Sequence, residues 1–521
     1  MSEKTPGPKA PLYRNVISLG GTIIVAGATV LIVLATAVDL LAVHRNPYVG
    51  IFTYMVMPAF FGLGGLVFLY GMRWEAKRRK RLGGLPQLPY PAVDLNVDWQ
   101  RRLFGWVLVG GAVVATVAMW AVANGYHFTE SVTFCGQVCH APMEPEATAH
   151  RDSPHARVAC VDCHVGEGAE WYMRSKISGA HQVLAVALNN FHRPIETPLK
   201  HLRPARETCE TCHWPEKFFG SKLLQLPHYR YDEANSAEQI SLVLKTGGGS
   251  IAHGASQGIH WHMMIANKVT YVATDDKRLD IPWVRMEHAD GSVDEYRIAG
   301  VTDEQIAGLE HRQMDCMDCH NRPSHNFPPP EAGMNDALYR GRVKRDLPFI
   351  MKVGVEALTK RYDTKQAAHD GIRNDVQSFY AAKYPAVVRD RAADLEQAIV
   401  AIIAVHDRST FHDMKVDSQT YPSHIGHRFW PGCFRCHDGR HASASGKVIS
   451  HECNGTCHTQ PVRSQITPLG VVEVGTGANW HAWQMSPEYV EIEAHSKLLC
   501  STCHRAGERP YKDCADCHTR L

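Results

Sequence analysis

The sequence predicts a mostly α-helical and irregular chain, with three N-terminal membrane helices ahead of a large extramembrane region. Three observations predict it. Apolar segments of bilayer length fall at about 16–43, 48–72 and 103–123. All sixteen cysteines of the 521-residue chain sit in Cys-x(2–3)-Cys-His motifs. Strand-like sequence is confined to a small β-hairpin insertion near 268–298, whereas 335–407 carries a helical spacer pattern, as in DLEQAIVAIIAVH. The length exceeds that of one compact domain. A net charge of +2 gives no reason to expect a nucleic-acid partner.

The first apolar segment is uncharged from Val16 to Val38, and no small-residue cleavage site clearly follows, so it reads as a retained anchor. The second contains Pro58 and several glycines, which membrane helices tolerate. Between the second and third lies RWEAKRRKRLGG (Arg73 to Gly84), the densest basic cluster in the chain. Positive charge stays in the cytoplasm, which places the N-terminus inside and sends the third segment outward; a topology signal explains this cluster in full.

The motifs carry the chemistry. In Cys-x-x-Cys-His, two thiols bond the vinyl groups of a haem and the adjoining histidine ligates its iron. Six pairs have the short spacing: Cys160/Cys163, Cys209/Cys212, Cys316/Cys319, Cys433/Cys436, Cys500/Cys503 and Cys514/Cys517. Cys135/Cys139 and Cys453/Cys457 have one residue more. The adjoining ligands are His140, His164, His213, His320, His437, His458, His504 and His518. Structural zinc also uses Cys-x-x-Cys pairs but does not require the following histidine, which all eight pairs have. Eight covalently bound haem c groups are expected, and their attachment takes place outside the cytoplasm.

The chain has 31 histidines, enough to supply sixth ligands as well. Distal candidates are His155, His260, His262, His325, His424, His427, His441 and His495. A histidine outside a motif is as readily a surface or core residue. In order, the chain reads as a membrane anchor (1–130), a three-haem segment (131–220), an insertion with the hairpin and fourth haem (221–330), a helical spacer (331–415) and a four-haem segment (416–521).

The stretch CHAPMEPEATAHRDSPHARVACVDCHVGEGAEWYMRSKISG resembles the NapC/NirT/NrfH family of membrane-anchored quinol dehydrogenases. RPARETCETCHWPEKFFG, GIHWH, CMDCHNRPSHNF and YPSHIGHRFWPGCFRCHDGRH are similar to a longer branch, the inner-membrane multihaem cytochromes of the ImcH type. The resemblance implies oxidation of menaquinol or ubiquinol at the bacterial inner membrane. It also implies delivery of electrons to a periplasmic cytochrome or terminal reductase, with association with other respiratory subunits open. It makes Met143 a candidate ligand of the first haem and Lys176 a quinol-site residue. Two departures stand out. Met143 is three residues after His140 rather than two, and the acidic residue expected a few positions after the lysine is not evident. Glu170 and His181 are alternative holders of the proton role.

Lys176 lies in an amphipathic helical stretch from Glu170 to Leu188 with Trp171 and Tyr172 at an expected interface. A surface lysine pairing with lipid phosphate is the plainer reading of that residue. Two further functions compete with quinol oxidation: an electron-conducting subunit fed by another membrane dehydrogenase, and a multihaem reductase with one open haem.

Overall fold

The computed structural model describes residues 11–41, 57–81 and 94–475, except 167, 200–201, 215–217, 219, 248–257, 264–266, 289, 451–455, 460 and 468–469. Its longer helices are α1 (Val16–Leu41), α2 (Met57–Arg81), α3 (Asp98–Thr129), α4 (His140–Arg151), α5 (Ala169–Ala187), α6 (Pro330–Tyr339), α7 (Ile350–Thr359), α8 (Lys365–Lys383) and α9 (Ala392–Ser409). Its strands are β1 (Ser221–Tyr229), β2 (Ala237–Lys245), β3 (Lys268–Val272), β4 (Trp283–Glu287), β5 (Val293–Arg297), β6 (Arg312–Gln313), β7 (Val462–Thr467) and β8 (Gly470–Gly475). The chain forms two compact units. One comprises residues up to Glu130 with Val165–His181, the other Ser131–His164 with the residues from Gln182 onward.

In the first unit, α1 and α2 pack closely through small residues. A Cβ at Gly21 would lie 2.5 Å from the Phe68 backbone nitrogen, and one at Gly71 would lie 2.5 Å from Ser18 Oγ. Polar side chains stitch the same face: Asn15 Nδ2 donates to the Gly71 carbonyl (3.2 Å) and Ser18 Oγ to that of Phe68 (3.1 Å). Small residues with interhelical hydrogen bonds are the packing mode of helices in lipid, where apolar burial gives no drive for association. Helices occupy the described parts of all three expected segments, but among the described residues only Val16–Val33 is long and apolar enough to cross a membrane. The expectation of three such helices is corrected to one by this measure. In α2 the charged run from Arg73 to Arg81 ends the apolar part, and the segment's first residues lie outside those described.

The second unit contains more sheet than the sequence suggests. The expected hairpin forms as β4 and β5, paired from Trp283↔Arg297 to Glu287↔Val293 across the Asp290-Gly291 turn, with Gly291 at φ 81°. β3 and β6 extend it to a four-stranded antiparallel sheet in the order β5-β4-β3-β6. A second sheet, β1-β2-β7-β8, was not anticipated, and the small hairpin insertion is corrected accordingly. β1 holds Pro227 and alternates poorly, which suits only an edge strand, and its sheet is completed by β7, more than 200 residues further on.

Helices α6 to α9 enclose the largest core, in which Met334, Leu347, Ile350, Met351, Ile372, Tyr380, Ile399 and Ile402 are fully buried. Ile372, Val376 and Tyr380 recur every fourth residue along α8, the spacing that stripes one helix face. Asn235 ties this bundle to the β1–β2 turn by donating to the Arg345 and Leu347 carbonyls, both at 2.8 Å.

Candidate functional site

Each short-spaced motif in the described region folds as a single helical turn. The following histidine's amide donates back to the first cysteine's carbonyl: His213 to Cys209 at 2.8 Å, His320 to Cys316 at 2.8 Å and His437 to Cys433 at 3.0 Å. This turn gathers the cysteines and histidine of one motif around a common face. The first motif, with its extra residue, instead winds as a wider turn over Phe134–Val138 that runs into α4 at His140.

None of the described motif cysteines is in a disulfide. Thiols of successive motifs also meet, Cys135 hydrogen-bonding with Cys160 and Cys209 with Cys316. Cys139 is half-buried between the wide turn and α4, where its carbonyl accepts from the Met143 amide at 3.1 Å. Cys212 is exposed, and its amide donates to the Cys209 carbonyl at 3.2 Å. Cys163, Cys319 and Cys433 are exposed like Cys212, whereas Cys436 and Cys457 are half-buried.

Five motif imidazoles face a second imidazole among the described residues. Ring centroids are 6.1 Å apart for His164 and His325, 6.0 Å for His213 and His155, and 6.2 Å for His320 and His260. They are 5.8 Å apart for His437 and His262, and 6.3 Å for His458 and His427. A metal bound at about 2 Å to one nitrogen of each ring would hold the centroids roughly 6 Å apart. The donor set therefore fits a six-coordinate iron with an imidazole on each side.

The supporting hydrogen bonds agree with that fit. The Nδ1–H of His260 donates to the Thr246 carbonyl (3.0 Å), that of His262 to Ile259 (3.0 Å) and that of His155 to Pro323 (3.4 Å). His437 and His458 do the same toward Ser450 (2.6 Å) and Thr459 (2.7 Å). A carbonyl can only accept, so the proton belongs on Nδ1 and Nε2 keeps its lone pair for a metal. His325 Nδ1 lies 3.0 Å from Glu146 Oε2, a carboxylate partner of the same kind. Burial pushes the imidazoles of His164, His260, His262 and His320 below their ordinary range, favouring the neutral form that ligates.

Two distal candidates are not brought to a motif ring. His441 is fully buried and has both nitrogens engaged, Nδ1 with Asp438 Oδ1 at 2.8 Å and Nε2 with the Ile281 carbonyl at 2.7 Å. That leaves it no nitrogen for iron, so its ligand expectation is corrected to a core hydrogen-bonding role. Buried His424 holds the Asp318 carbonyl through Nδ1 (3.3 Å) and is paired with no motif imidazole among the described residues. Half-buried Met143 sits on α4 one turn after the first motif. The His140 side chain lies outside the described residues, as do Cys453, His495, Cys500, Cys503, His504, Cys514, Cys517 and His518.

In the first unit, α5 presents Lys176 to the end of α3. Lys176 Nζ donates to Glu130 Oε1 at 2.9 Å, and Tyr126 Oη donates to Glu130 Oε2 at 2.9 Å. The ammonium lies 4.9 Å from the Tyr172 ring centroid and 5.9 Å from that of Tyr126. The Glu130 side chain is 13% exposed. Glu130 is the acidic partner that sequence reasoning missed. Its signal was a pair of matching i,i+4 spacings, Tyr126 with Glu130 and Tyr172 with Lys176. Neither expected proton holder shares this face: His181 is exposed five residues on, about 140° round α5, and position 170 is six residues back, about 120° round it.

Comparison with known proteins accords with these features. Residues 99–207 match the family model for the NapC/NirT cytochrome c family, N-terminal region. Over 500 residues, 95% of each chain, the sequence is 43% identical to the cytochrome c-type protein ImcH of Geobacter sulfurreducens. It is also 31% identical over 108 residues to the cytochrome c nitrite reductase subunit NrfH of Nitratidesulfovibrio vulgaris, spanning 20% of this chain and 67% of that one. No solved structure matches. Motif turns, paired imidazoles and full-length similarity lead to one conclusion: the chain belongs to the NapC/NirT family of c-type cytochromes, electron-transfer proteins with covalently bound haem.

Proposed function

We propose that this protein is a membrane-anchored octahaem cytochrome of the bacterial inner membrane that oxidises menaquinol or ubiquinol and passes the electrons through its haems to a periplasmic cytochrome or terminal reductase. The five imidazole pairs carry this reading. An iron closed on both sides cycles electrons without binding substrate, which favours conduction over a reductase with an open haem. The ligand pairs are His164/His325, His213/His155, His320/His260, His437/His262 and His458/His427. Cys135 with Cys139 holds the first haem and Cys209 with Cys212 the third, by the same thioether chemistry as the other six pairs. Met143 is retained for the haem at His140, and His495 and His424 for the remaining haems. The apolar segment Val16–Val33 anchors the chain, and because haem attachment takes place outside the cytoplasm, the haem region is assigned to the periplasm.

Each haem supplies a one-electron carrier, while quinol releases two electrons and two protons, so the protein must take up protons where quinol binds. Lys176 has three N–H donors and spends one on Glu130; the Glu130 carboxylate keeps lone pairs beyond its two bonds. Lys176 therefore orients a quinol oxygen and Glu130 accepts the hydroxyl proton. This pair favours quinol oxidation over a conducting subunit without a quinol site.

The test is anaerobic reduction of the purified protein in detergent by a menaquinol analogue, followed at the c-type α band, for native protein and Lys176→Ala. Fast, inhibitor-sensitive reduction that the substitution slows is expected. Haems that dithionite reduces and quinol does not would instead identify a conducting subunit fed by another dehydrogenase.

A further inference from the structure

We propose that Arg435 clamps the fourth motif to the fifth and, as a buried cation between them, raises the reduction potentials of the haems at Cys316/Cys319 and Cys433/Cys436. The inference rests on the haem assignment above.

Arg435 and Asp318 hold the same place in their motifs, Cys433-Phe434-Arg435-Cys436-His437 and Cys316-Met317-Asp318-Cys319-His320. Both are buried, at 8% and 1% exposed. The guanidinium spreads over three carbonyls: Nη2 donates to Asp318 O at 2.5 Å, Nη1 to Arg278 O at 3.0 Å and Nε to Gly432 O at 2.9 Å. The side chain of one haem-binding turn is thereby bonded to the backbone of the other. The residues that hold two haems move as one piece, and their separation is fixed.

All three acceptors are neutral, and among the described residues no carboxylate forms an ion pair with Arg435. The carboxylates nearby are already matched. Asp318 receives Arg278 at 3.1 Å, Arg312 at 2.8 Å and the Tyr271 hydroxyl at 2.5 Å, while Asp315 receives Arg312 at 2.9 Å. Asp438 is engaged by Arg440 and His441. Two carboxylates, Asp315 and Asp318, thus stand against three guanidinium groups, and the excess positive charge is that of Arg435.

Its field reaches both motifs. Arg435 directly precedes Cys436 in the chain, and its Nη2 bonds the carbonyl of Asp318, which directly precedes Cys319. Those cysteines mark where the two haems join the chain. Reducing a ferric haem removes one positive charge, so a buried cation beside it favours the reduced state, with little screening at low local dielectric.

The experiment is a spectroelectrochemical titration of the haem-loaded protein in detergent, native against Arg435→Gln and Arg435→Lys. In Arg435→Gln, which keeps an N–H donor but loses the charge, two titration components are expected to move to lower potential at unchanged haem content. Arg435→Lys is expected to hold them near their native values. Unmoved potentials in fully loaded Arg435→Gln would overturn the inference, as would equal shifts in both variants, which would mark the arginine as a strut alone. If Arg435→Gln does not load haem, Asp318→Asn serves instead: the same two components should rise, and their staying put would overturn the proposal. Failure of the underlying haem reading looks different. A haem at Cys433/Cys436 that stays low-spin in His262→Ala would refute the ligand pairing without bearing on the charge.

Discussion

At the scale of single residues, the site divides by what each side chain has left to give. His260 and His262 spend Nδ1 on carbonyls and keep Nε2, whereas His441 has spent both nitrogens. The sequence offers no way to tell these apart, because spacing along the chain shows proximity to a motif but not where the second nitrogen points. His262→Ala is expected to convert one haem from low-spin to high-spin, read by electron paramagnetic resonance, with haem content retained. His441→Ala should leave the low-spin spectrum unchanged and cost about 1–3 kcal/mol, the usual penalty for stripping partners from buried polar groups, read by thermal unfolding. Glu130 is a further residue that local reading passed over, since its partner Lys176 lies 46 residues away. Glu130→Gln removes the proton acceptor but keeps a side-chain acceptor for the Lys176 N–H. Quinol-driven reduction should then slow by about 10²-fold or more, while dithionite reduction stays native; a quinol rate equal to native would rule out the proton role.

Among the elements, legibility follows the range of the interactions that make them. The α6–α9 bundle was readable because its apolar residues recur at helical spacing and pack against near neighbours in the chain. The β1-β2-β7-β8 sheet was not, because Val462 pairs with Ser241 across three haem motifs and a helical bundle. Within the bundle, Asp407 pins α8 to α9: His369 Nε2 donates to its Oδ1 at 2.8 Å and His406 Nδ1 at 3.1 Å. Burial works to raise the Asp407 carboxyl, but hydrogen bonds from His406 and His369 prevail and hold it below the usual carboxylate range. A depressed folded-state value stabilises the protein above the unfolded carboxyl value near 4 and ceases to do so as pH falls through the folded value. Asp407→Asn should therefore weaken hydrogen-exchange protection of α8 and α9 by about 1–3 kcal/mol near pH 6. The difference from native should shrink progressively below about pH 4. A difference that persists undiminished in acid would assign the effect to packing rather than charge.

Over the whole molecule, the contacts between motifs run in chain order. Cys135 meets Cys160, Cys209 meets Cys316, and Arg435 bonds the fifth motif to the fourth. The ligands also cross between motifs: His155 comes from before the second motif to face the third, His325 from beyond the fourth to face the second, and His260 and His262, two residues apart, face the fourth and fifth. One short helical turn thus serves two successive haems, which brings them together as the clamp at Arg435 does. Electron tunnelling falls steeply with distance, so a chain of near neighbours in sequence order makes a single path rather than a branched one. A single path can be cut. Replacing Cys433 and Cys436 by alanine removes the fifth haem, and quinol should then reduce the first four haems at near-native rate while those at His458, His504 and His518 stay oxidised on that timescale. Dithionite, which reaches haems from solution, should reduce all seven. The measurement is the fraction of the α band that quinol reduces within the native reaction time, expected to fall to about four-sevenths. Full reduction by quinol would mean that electrons bypass the fifth haem, and the sequential path would be wrong.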